Sequence, residues 1–130
     1  MRGKRQVSWQ ERGAVNTNKK STTILDHMDI TVQELHRKLA AGEKFVFIDV
    51  REPWEYEEFN LGATLMPLGD LINKIWELED HKNDEIVVHC RSGSRSGMAQ
   101  SILQAQGFTN VRNTTGGVIA WIDAFGPVKP

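Results

Sequence analysis

Two short apolar runs constrain the fold of this 130-residue chain more than any other feature. Residues 45–50 read Phe-Val-Phe-Ile-Asp-Val, and residues 86–88 read Ile-Val-Val. Aromatic and β-branched residues that do not alternate with polar ones are typical of strands buried on both faces of a parallel sheet. We therefore predict two buried strands, at residues 45–50 and 85–89.

Helical patterns lie between and around these strands. Thr31 and Glu34 have the spacing of a capping box, which predicts a helix from residue 32 to about residue 41. Asp70 is the predicted N-cap of another helix. The apolar side of that helix is expected to carry Leu71, Ile72, Ile75, Trp76 and Leu78.

Shorter elements complete the pattern. Strands are predicted at residues 29–30, 63–66 and 111–113, and helices at 53–59, 98–107 and 116–126. The inward residues of the helix at 98–107 are expected to be Met98, Ala99, Ile102, Leu103 and Ala105. Alternating strands and helices predict an α/β fold with one open parallel sheet and helices on both faces. Ligands bind such sheets beyond the carboxyl ends of the strands, where residues 49–51 and 89–91 should meet.

A polar loop follows the second buried run and begins at Cys90, the only cysteine of the sequence. Residues 91–97 read Arg-Ser-Gly-Ser-Arg-Ser-Gly, and a helical pattern resumes after them. The amino end of a helix and the two arginines, Arg91 and Arg95, favour the thiolate form of a nearby cysteine. A lone cysteine at a strand end is more often a small buried side chain. The arginines, serines and glycines that follow Cys90 instead favour a reactive nucleophile.

Composition and charge restrict the class of protein. With 39% hydrophobic and 25% charged residues and no apolar run of membrane-spanning length, the sequence is typical of a soluble single-domain protein. A single cysteine permits no internal disulfide, which fits a cytoplasmic location. Residues 1–25 are predicted to be a basic, disordered leader, since residues 1–20 hold six Lys and Arg against one Glu. A nucleic-acid contact by this leader is the less favoured alternative. Residues 26–130 are predicted to form the domain.

Five motifs, in order along the chain, resemble those of single-domain rhodaneses, a family of sulfurtransferases. They are residues 49–52 (Asp-Val-Arg-Glu), 54–58 (Trp-Glu-Tyr-Glu-Glu), 66–68 (Met-Pro-Leu), 90–96 (Cys-Arg-Ser-Gly-Ser-Arg-Ser) and 116–121 (Gly-Gly-Val-Ile-Ala-Trp). The resemblance covers about residues 29–125. One segment departs from the family pattern: residues 59–63, Phe-Asn-Leu-Gly-Ala, are one residue shorter than usual and lack a histidine and a proline.

The resemblance implies a rhodanese-like fold, with a five-stranded parallel sheet and helices on both faces. It also implies that Cys90 accepts a sulfane sulfur as a persulfide. The loop that cradles this sulfur would consist of Arg91, Ser92, Gly93, Ser94, Arg95 and Ser96.

The expected reaction moves sulfur from a small anionic donor, such as thiosulfate, to cyanide or an external thiol, including one on a partner protein. No second cysteine of this chain is present to take the sulfur from Cys90. Arg91 and Arg95 are expected to attract the donor, unless one of them pairs with a carboxylate. Asp49 and Arg51 are expected to support the loop from the neighbouring strand. We expect no cofactor, metal or membrane partner, and we expect a monomer.

Two other functions remain open. A dedicated persulfide carrier or a regulatory binding module would use the same fold. A cysteine-dependent phosphatase also combines a cysteine, a loop and an arginine. Its loop holds one residue more than the four between Cys90 and Arg95, and it needs a general acid that the sequence does not clearly offer.

Several other residues invite a functional interpretation but are expected to be structural. The four histidines lack the spacing of metal ligands. His89 is interpreted as a packed or hydrogen-bonded strand residue. Glu55 and its acidic neighbours are expected to form a solvated face, and Trp76 and Trp121 are expected in the core.

Overall fold

The computed structural model describes residues 28–130, so the predicted leader at residues 1–25 lies outside the described part. The helices are α1 (Val32–Ala40), α2 (Pro53–Glu58), α3 (Leu68–Lys74), α4 (Ser94–Ala105) and α5 (Gly117–Phe125). A 3-10 helix (Ile75–His81) continues α3. The strands are β1 (Val46–Asp49), β2 (Thr64–Leu65), β3 (Ile86–His89) and β4 (Val111–Asn113). Strands and helices alternate as predicted.

The sheet is parallel and has the order β2-β1-β3-β4. The two apolar runs form β1 and β3 at its centre, where both faces of a strand can be covered. The register places Val87 of β3 opposite Phe47 of β1 and Arg112 of β4. The predicted parallel α/β architecture is confirmed. The expectation of five strands is wrong, since the sheet formed by residues 28–130 has four.

The strand expected at residues 29–30 is reduced to one contact. Ile30 makes an isolated parallel bridge with Thr114 and donates its N–H to the Asn113 carbonyl (3.0 Å). Thr31 then caps α1 at once, because its Oγ1 accepts a hydrogen bond from the Glu34 N–H (3.1 Å). The early start of the helix leaves no length of chain for a strand.

Two apolar clusters lie on opposite faces of the sheet. The cluster beneath α3 and α4 contains Ile48, Val50, Met66, Leu71, Leu78, Ile86, Val88, Cys90, Ala99, Leu103, Phe108 and Val111. The cluster beneath α1 and α5 contains Ile30, Val32, Leu35, Leu61, Val87 and Trp121. Successive β3 residues thus alternate between the clusters, as a strand buried on both faces requires.

The helix predicted after Asp70 begins earlier in the structure. Pro67 is the N-cap, and the Leu68 N–H donates to the Val50 carbonyl (3.0 Å), which ties the start of α3 to the end of β1. Asp70 lies within the first turn of the helix, so the prediction of Asp70 as N-cap is wrong.

Some residues expected in the core are exposed. Trp76 is 68% exposed and Met98 is 58% exposed, whereas Trp121 is 1% exposed as predicted. A helix on a sheet buries a single stripe, and in α4 that stripe contains Ala99 and Leu103. Predicted inward residues beside the buried stripes remain at the surface; they are Ile72, Trp76, Met98 and Ala105.

Candidate active site

Cys90 lies where β3 gives way to the loop that leads into α4. Gly93 has a φ of +109°, which glycine adopts without strain, and α4 begins at the next residue. The Gly93 N–H donates to the Cys90 Sγ (3.1 Å), and the Ser96 hydroxyl lies 3.3 Å from the same sulfur. The loop therefore directs hydrogen-bond donors at the sulfur atom.

The Cys90 side chain is 1% exposed and belongs to the apolar cluster beneath α3 and α4. Burial by itself raises the pKa of the Cys90 thiol. Hydrogen bonds from the Ser96 hydroxyl and from the amides of Ser96, Gly93 and Ser92 outweigh burial, so the pKa lies below its ordinary value. Cys90 thus has the burial of a structural cysteine and the donors of a nucleophile.

The two arginines of the loop have different surroundings. Arg95 donates two hydrogen bonds to Glu55, over 2.7 Å to Oε1 and 2.9 Å to Oε2. Arg91 is exposed, and within residues 28–130 it forms no ion pair. The sequence left open whether one arginine pairs with a carboxylate, and the structure identifies Arg95. Arg91 is therefore the loop arginine whose positive charge no described carboxylate neutralises.

Glu55 is not part of a solvated face, and that expectation is wrong. Its side chain is 7% exposed, while the neighbouring Glu57 and Glu58 are exposed. Hydrogen bonds from the Arg95 guanidinium lower the pKa of Glu55 to about 2. The Glu55 Oε1 also accepts the Glu52 N–H (3.0 Å) at the start of α2. Glu55 thus links α2 to the cysteine loop.

The remaining predicted loop residues divide by position. The amide of Ser92 contributes to the lowered pKa of Cys90, although the Ser92 side chain is exposed. Ser94 is exposed at the first turn of α4. Ser92, Gly93 and Ser96 therefore supply the donors that face the sulfur, while Arg91, Ser94 and Arg95 form the outer part of the loop.

Asp49 and Arg51 form a buried ion pair at the end of β1. The Arg51 Nε donates to the Asp49 Oδ1 (3.0 Å), and Nη2 donates to Oδ2 (2.9 Å). Nη2 also donates to the carbonyl of Phe59 (2.7 Å). The pair fixes the shortened segment at residues 59–63, which follows α2. Its link to the loop is therefore indirect, because residue 59 follows α2 and the Glu55 side chain of α2 binds Arg95.

His89 is fully buried on the face opposite Cys90, where its ring packs 5.4 Å from that of Phe47. The Nδ1 atom donates to the Cys90 carbonyl (3.3 Å), because a carbonyl can only accept. Burial lowers the pKa of His89, and the Nε2 of its ring lies 3.5 Å from the Asp49 Oδ2. The interpretation of His89 as a packed strand residue is confirmed.

Asn113, at the end of β4, holds the loop and is not among the predicted site residues. Its Nδ2 donates to the Gly93 carbonyl (3.1 Å), and its Oδ1 accepts from the Ser96 hydroxyl (2.6 Å). These contacts join residues 17 to 20 positions apart. A local sequence pattern carries no signal of such contacts.

The amino end of α5 packs directly on the backbone of Cys90. A Cβ on Gly117 would lie 2.5 Å from the Cys90 carbonyl oxygen, so the close approach requires glycine. The Val118 N–H donates to that carbonyl (3.0 Å), and the Ile119 N–H donates to the Arg91 carbonyl (3.0 Å). The glycine pair at 116–117 was the available signal, but it did not reveal which backbone α5 would meet.

The arrangement can hold a negatively charged sulfur without a proton-transfer residue, since fixed donors stabilise the charge.

In residues 28–130 no group of three or more His, Cys, Asp and Glu side chains is placed to hold a metal ion. No helix in this part of the chain has the length and apolar character needed to cross a membrane.

Comparison with known proteins identifies a family and several relatives. Residues 31–124 match the family described as "Rhodanese-like domain". The chain is 33% identical over 94 residues to "Sulfurtransferase" of Allochromatium vinosum, which covers 72% of this chain and 86% of that protein. It is 36% identical over 94 residues to "Putative sulfur carrier protein YrkF" of Bacillus subtilis. That match covers 72% of this chain but spans only 50% of the relative.

A solved structure of another protein has a similar fold. A crystal structure of a rhodanese-related protein from Thermoplasma volcanium superposes with a TM-score of 0.66 and 28% sequence identity. The superposition covers 77% of this chain and 95% of that protein. The relatives named for sulfur transfer and the shared fold together support rhodanese-type sulfur transfer.

Proposed function

The chain belongs to the rhodanese-like domain family, and from this premise we propose that it is a sulfurtransferase that carries sulfur as a persulfide on Cys90. The donor is a small anion such as thiosulfate, and the acceptor is cyanide or a thiol. The observation that carries the proposal is the convergence of donors from Gly93 (3.1 Å) and Ser96 (3.3 Å) on the Cys90 Sγ. These donors stabilise the thiolate that attacks and the persulfide anion that results.

In the first half-reaction the Cys90 thiolate attacks the outer sulfur of thiosulfate. A new sulfur–sulfur bond forms at Cys90, the sulfur–sulfur bond of thiosulfate breaks, and sulfite leaves with the electron pair. No proton needs to be transferred. Arg91, exposed at the outer part of the loop, attracts the dianionic donor, whereas Arg95 is engaged by Glu55 and holds the loop in place.

In the second half-reaction an acceptor attacks the outer sulfur of the persulfide. With cyanide the product is thiocyanate, and with a thiolate it is a new persulfide on the acceptor. The Cys90 thiolate is the leaving group in both cases, and the hydrogen bonds that lower its pKa make it a better one.

Thiocyanate formation from thiosulfate and cyanide tests the reaction. Double-reciprocal plots are expected to be parallel, because the two half-reactions share only the persulfide enzyme. Cys90→Ser is expected to be inactive while retaining the thermal midpoint of the wild type to within a few degrees. Turnover by Cys90→Ser at the wild-type rate would reject the mechanism.

A persulfide carrier is the second candidate function. The name of the Bacillus subtilis relative and the 1% exposure of Cys90 favour it, because a buried sulfur suits delivery to a docked partner better than rapid exchange with solutes. A carrier is expected to form the persulfide but release it slowly to cyanide. Fast cyanide turnover would favour the general sulfurtransferase.

A phosphatase is disfavoured by the short loop, with four residues between Cys90 and Arg95. The engagement of Arg95 by Glu55 adds to this argument, since a phosphate would need that guanidinium. Hydrolysis of an aryl phosphate, without any sulfur transfer from thiosulfate, would reverse the assignment.

A further inference from the structure

The Ser96 hydroxyl has one proton and two neighbouring acceptors. Its Oγ lies 3.3 Å from the Cys90 Sγ and 2.6 Å from the Asn113 Oδ1. A hydroxyl donates one hydrogen bond at a time. The sulfur and the amide oxygen therefore compete for the same proton.

The orientation of the Asn113 amide is set by its other contact. The Gly93 carbonyl can only accept, so the Nδ2 of Asn113 must face it (3.1 Å), and the Oδ1 must face Ser96. The Asn113 backbone is held as well, because its N–H donates to the Asp29 Oδ1 (3.1 Å) and its carbonyl accepts the Ile30 N–H (3.0 Å). Asn113 is thus a fixed acceptor beside the loop.

Two proton arrangements follow from this geometry. When Cys90 is a thiol, its S–H can donate to the Ser96 Oγ, and the hydroxyl proton goes to Asn113. When the sulfur is a thiolate, a hydroxyl that turns its proton to the sulfur leaves the Asn113 Oδ1 without its donor. Forming the anion therefore breaks one hydrogen bond elsewhere in the site.

We propose that Asn113 is a positioning residue that competes with Cys90 for the Ser96 proton and so limits how strongly the loop stabilises a sulfur anion. The significance of this limit rests on the proposed function. A thiolate that is stabilised too strongly is a weaker nucleophile, because nucleophilicity falls with the basicity of the sulfur. Asn113 keeps Cys90 basic enough to attack a donor.

Other charged groups around Cys90 are common to all the variants below. The titratable groups of the loop and its neighbours are Arg91, Arg95, Glu52, Glu55, Asp29 and the neutral His89. The charged residues of the packed helices α3 and α5 are exposed; they are Asp70, Lys74 and Asp123.

The test is the pH dependence of Cys90 alkylation by iodoacetamide, which measures the thiolate and requires no sulfur donor. Asn113→Ala is expected to lower the pKa of Cys90 by about half a unit, which is roughly threefold more thiolate at low pH. In a Ser96→Ala background there is no proton to compete for. The same substitution is then expected to leave the pKa unchanged.

A bracing role alone predicts a different result. Loss of Asn113 would loosen Gly93 and raise the pKa of Cys90 with or without the Ser96 hydroxyl. Equal shifts in both backgrounds, of either sign, or no shift in either, would overturn the proposal. Asn113→Leu, which has similar size and no polar atoms, repeats the test if the alanine variant is unstable.

Gln100→Ala is the matched control, because it removes another amide side chain that anchors β4. The Gln100 Nε2 donates to the Asp29 Oδ1 (2.8 Å) and to the Val111 carbonyl (2.9 Å), and within residues 28–130 the Gln100 side chain makes no hydrogen bond to the Ser96 hydroxyl. The pKa of Cys90 is expected to stay unchanged. Alkylation of Cys90 does not depend on sulfur transfer. If the expected pKa shifts were found in a chain that transfers no sulfur, the proposed function would be rejected and this inference would stand.

Discussion

The two ends of β3 use charge in opposite ways. At the amino end, Glu85 accepts from Arg112 (2.7 Å) and Lys38 (3.1 Å), and the buried Arg112 also binds Glu34 (3.0 Å). At the carboxyl end, Cys90 faces hydrogen-bond donors. The first cluster balances each charge against another. The second leaves a site where an anion can form.

The two arginines near the carboxyl end of β3 differ in the same way. Arg95 is balanced by Glu55, whereas Arg91 is exposed and, within the described residues, forms no ion pair. Mutual pairing is typical of a cluster that stabilises the fold, whereas an exposed cation without a paired carboxylate is what the proposed sulfur-transfer site needs to attract an anionic donor. Substitution of a paired charge should therefore change stability, and substitution of the unpaired Arg91 should change the affinity for an anion.

The largest effect is expected at the balanced end. Arg112→Met leaves Glu34 and Glu85 without their buried partner and is expected to cost about 3–5 kcal/mol of unfolding free energy. Urea denaturation measures the change. Arg91→Met, which removes an arginine from the other end, is the matched control and is expected to change stability by less than about 0.5 kcal/mol. Equal losses in the two variants would contradict the distinction.

An intermediate effect is expected for Glu55→Gln, which should lower the unfolding free energy by about 1–2 kcal/mol. The loss is smaller than for Arg112→Met because the Arg95 side chain is 32% exposed and its charge is partly screened by solvent. The pKa of Glu55 is lowered from 4.5 to about 2, so its ionised form stabilises the fold above about pH 4.5. This stabilisation is lost as the pH falls from about 4.5 towards 2. The unfolding free energy of wild type is therefore expected to drop more steeply than that of the variant. Parallel pH profiles would show that the ion pair does not stabilise the fold.

The smallest effect is expected for Arg91→Ala. Loss of one exposed charge should raise the KM for thiosulfate about threefold, equivalent to ~0.7 kcal/mol, with little change in kcat. The difference from wild type should shrink at high salt. Arg91→Lys keeps the charge and is expected to retain most of the affinity. A fall in kcat at constant KM would instead place Arg91 in the chemical step.

The sequence predicted those features that depend on local patterns. Apolar runs identified β1 and β3, the capping residue Thr31 identified the start of α1, and the polar loop identified the region around Cys90. Each of these signals lies within a few adjacent residues. The family resemblance then added the persulfide role, which stays a proposal.

Features that depend on distant contacts were not predicted. The sequence around Glu55 predicts an acidic, exposed helix face, and only the contact of Glu55 with Arg95, 40 residues away, explains its burial. The sequence predicts only that Asn113 ends a short strand, although in the structure its side chain binds both Gly93 and Ser96. Trp76 has the spacing of a core residue, but the sheet covers only one side of its segment.

Intact mass after incubation with thiosulfate tests the central claim most directly. We expect the wild type to gain the mass of one sulfur atom and to lose it when cyanide is added. Cys90→Ser, which retains the loop but has no thiol, should gain nothing. A wild-type chain without the adduct across a range of sulfane donors, or a serine variant that carries it, would contradict the claim that Cys90 accepts the sulfur.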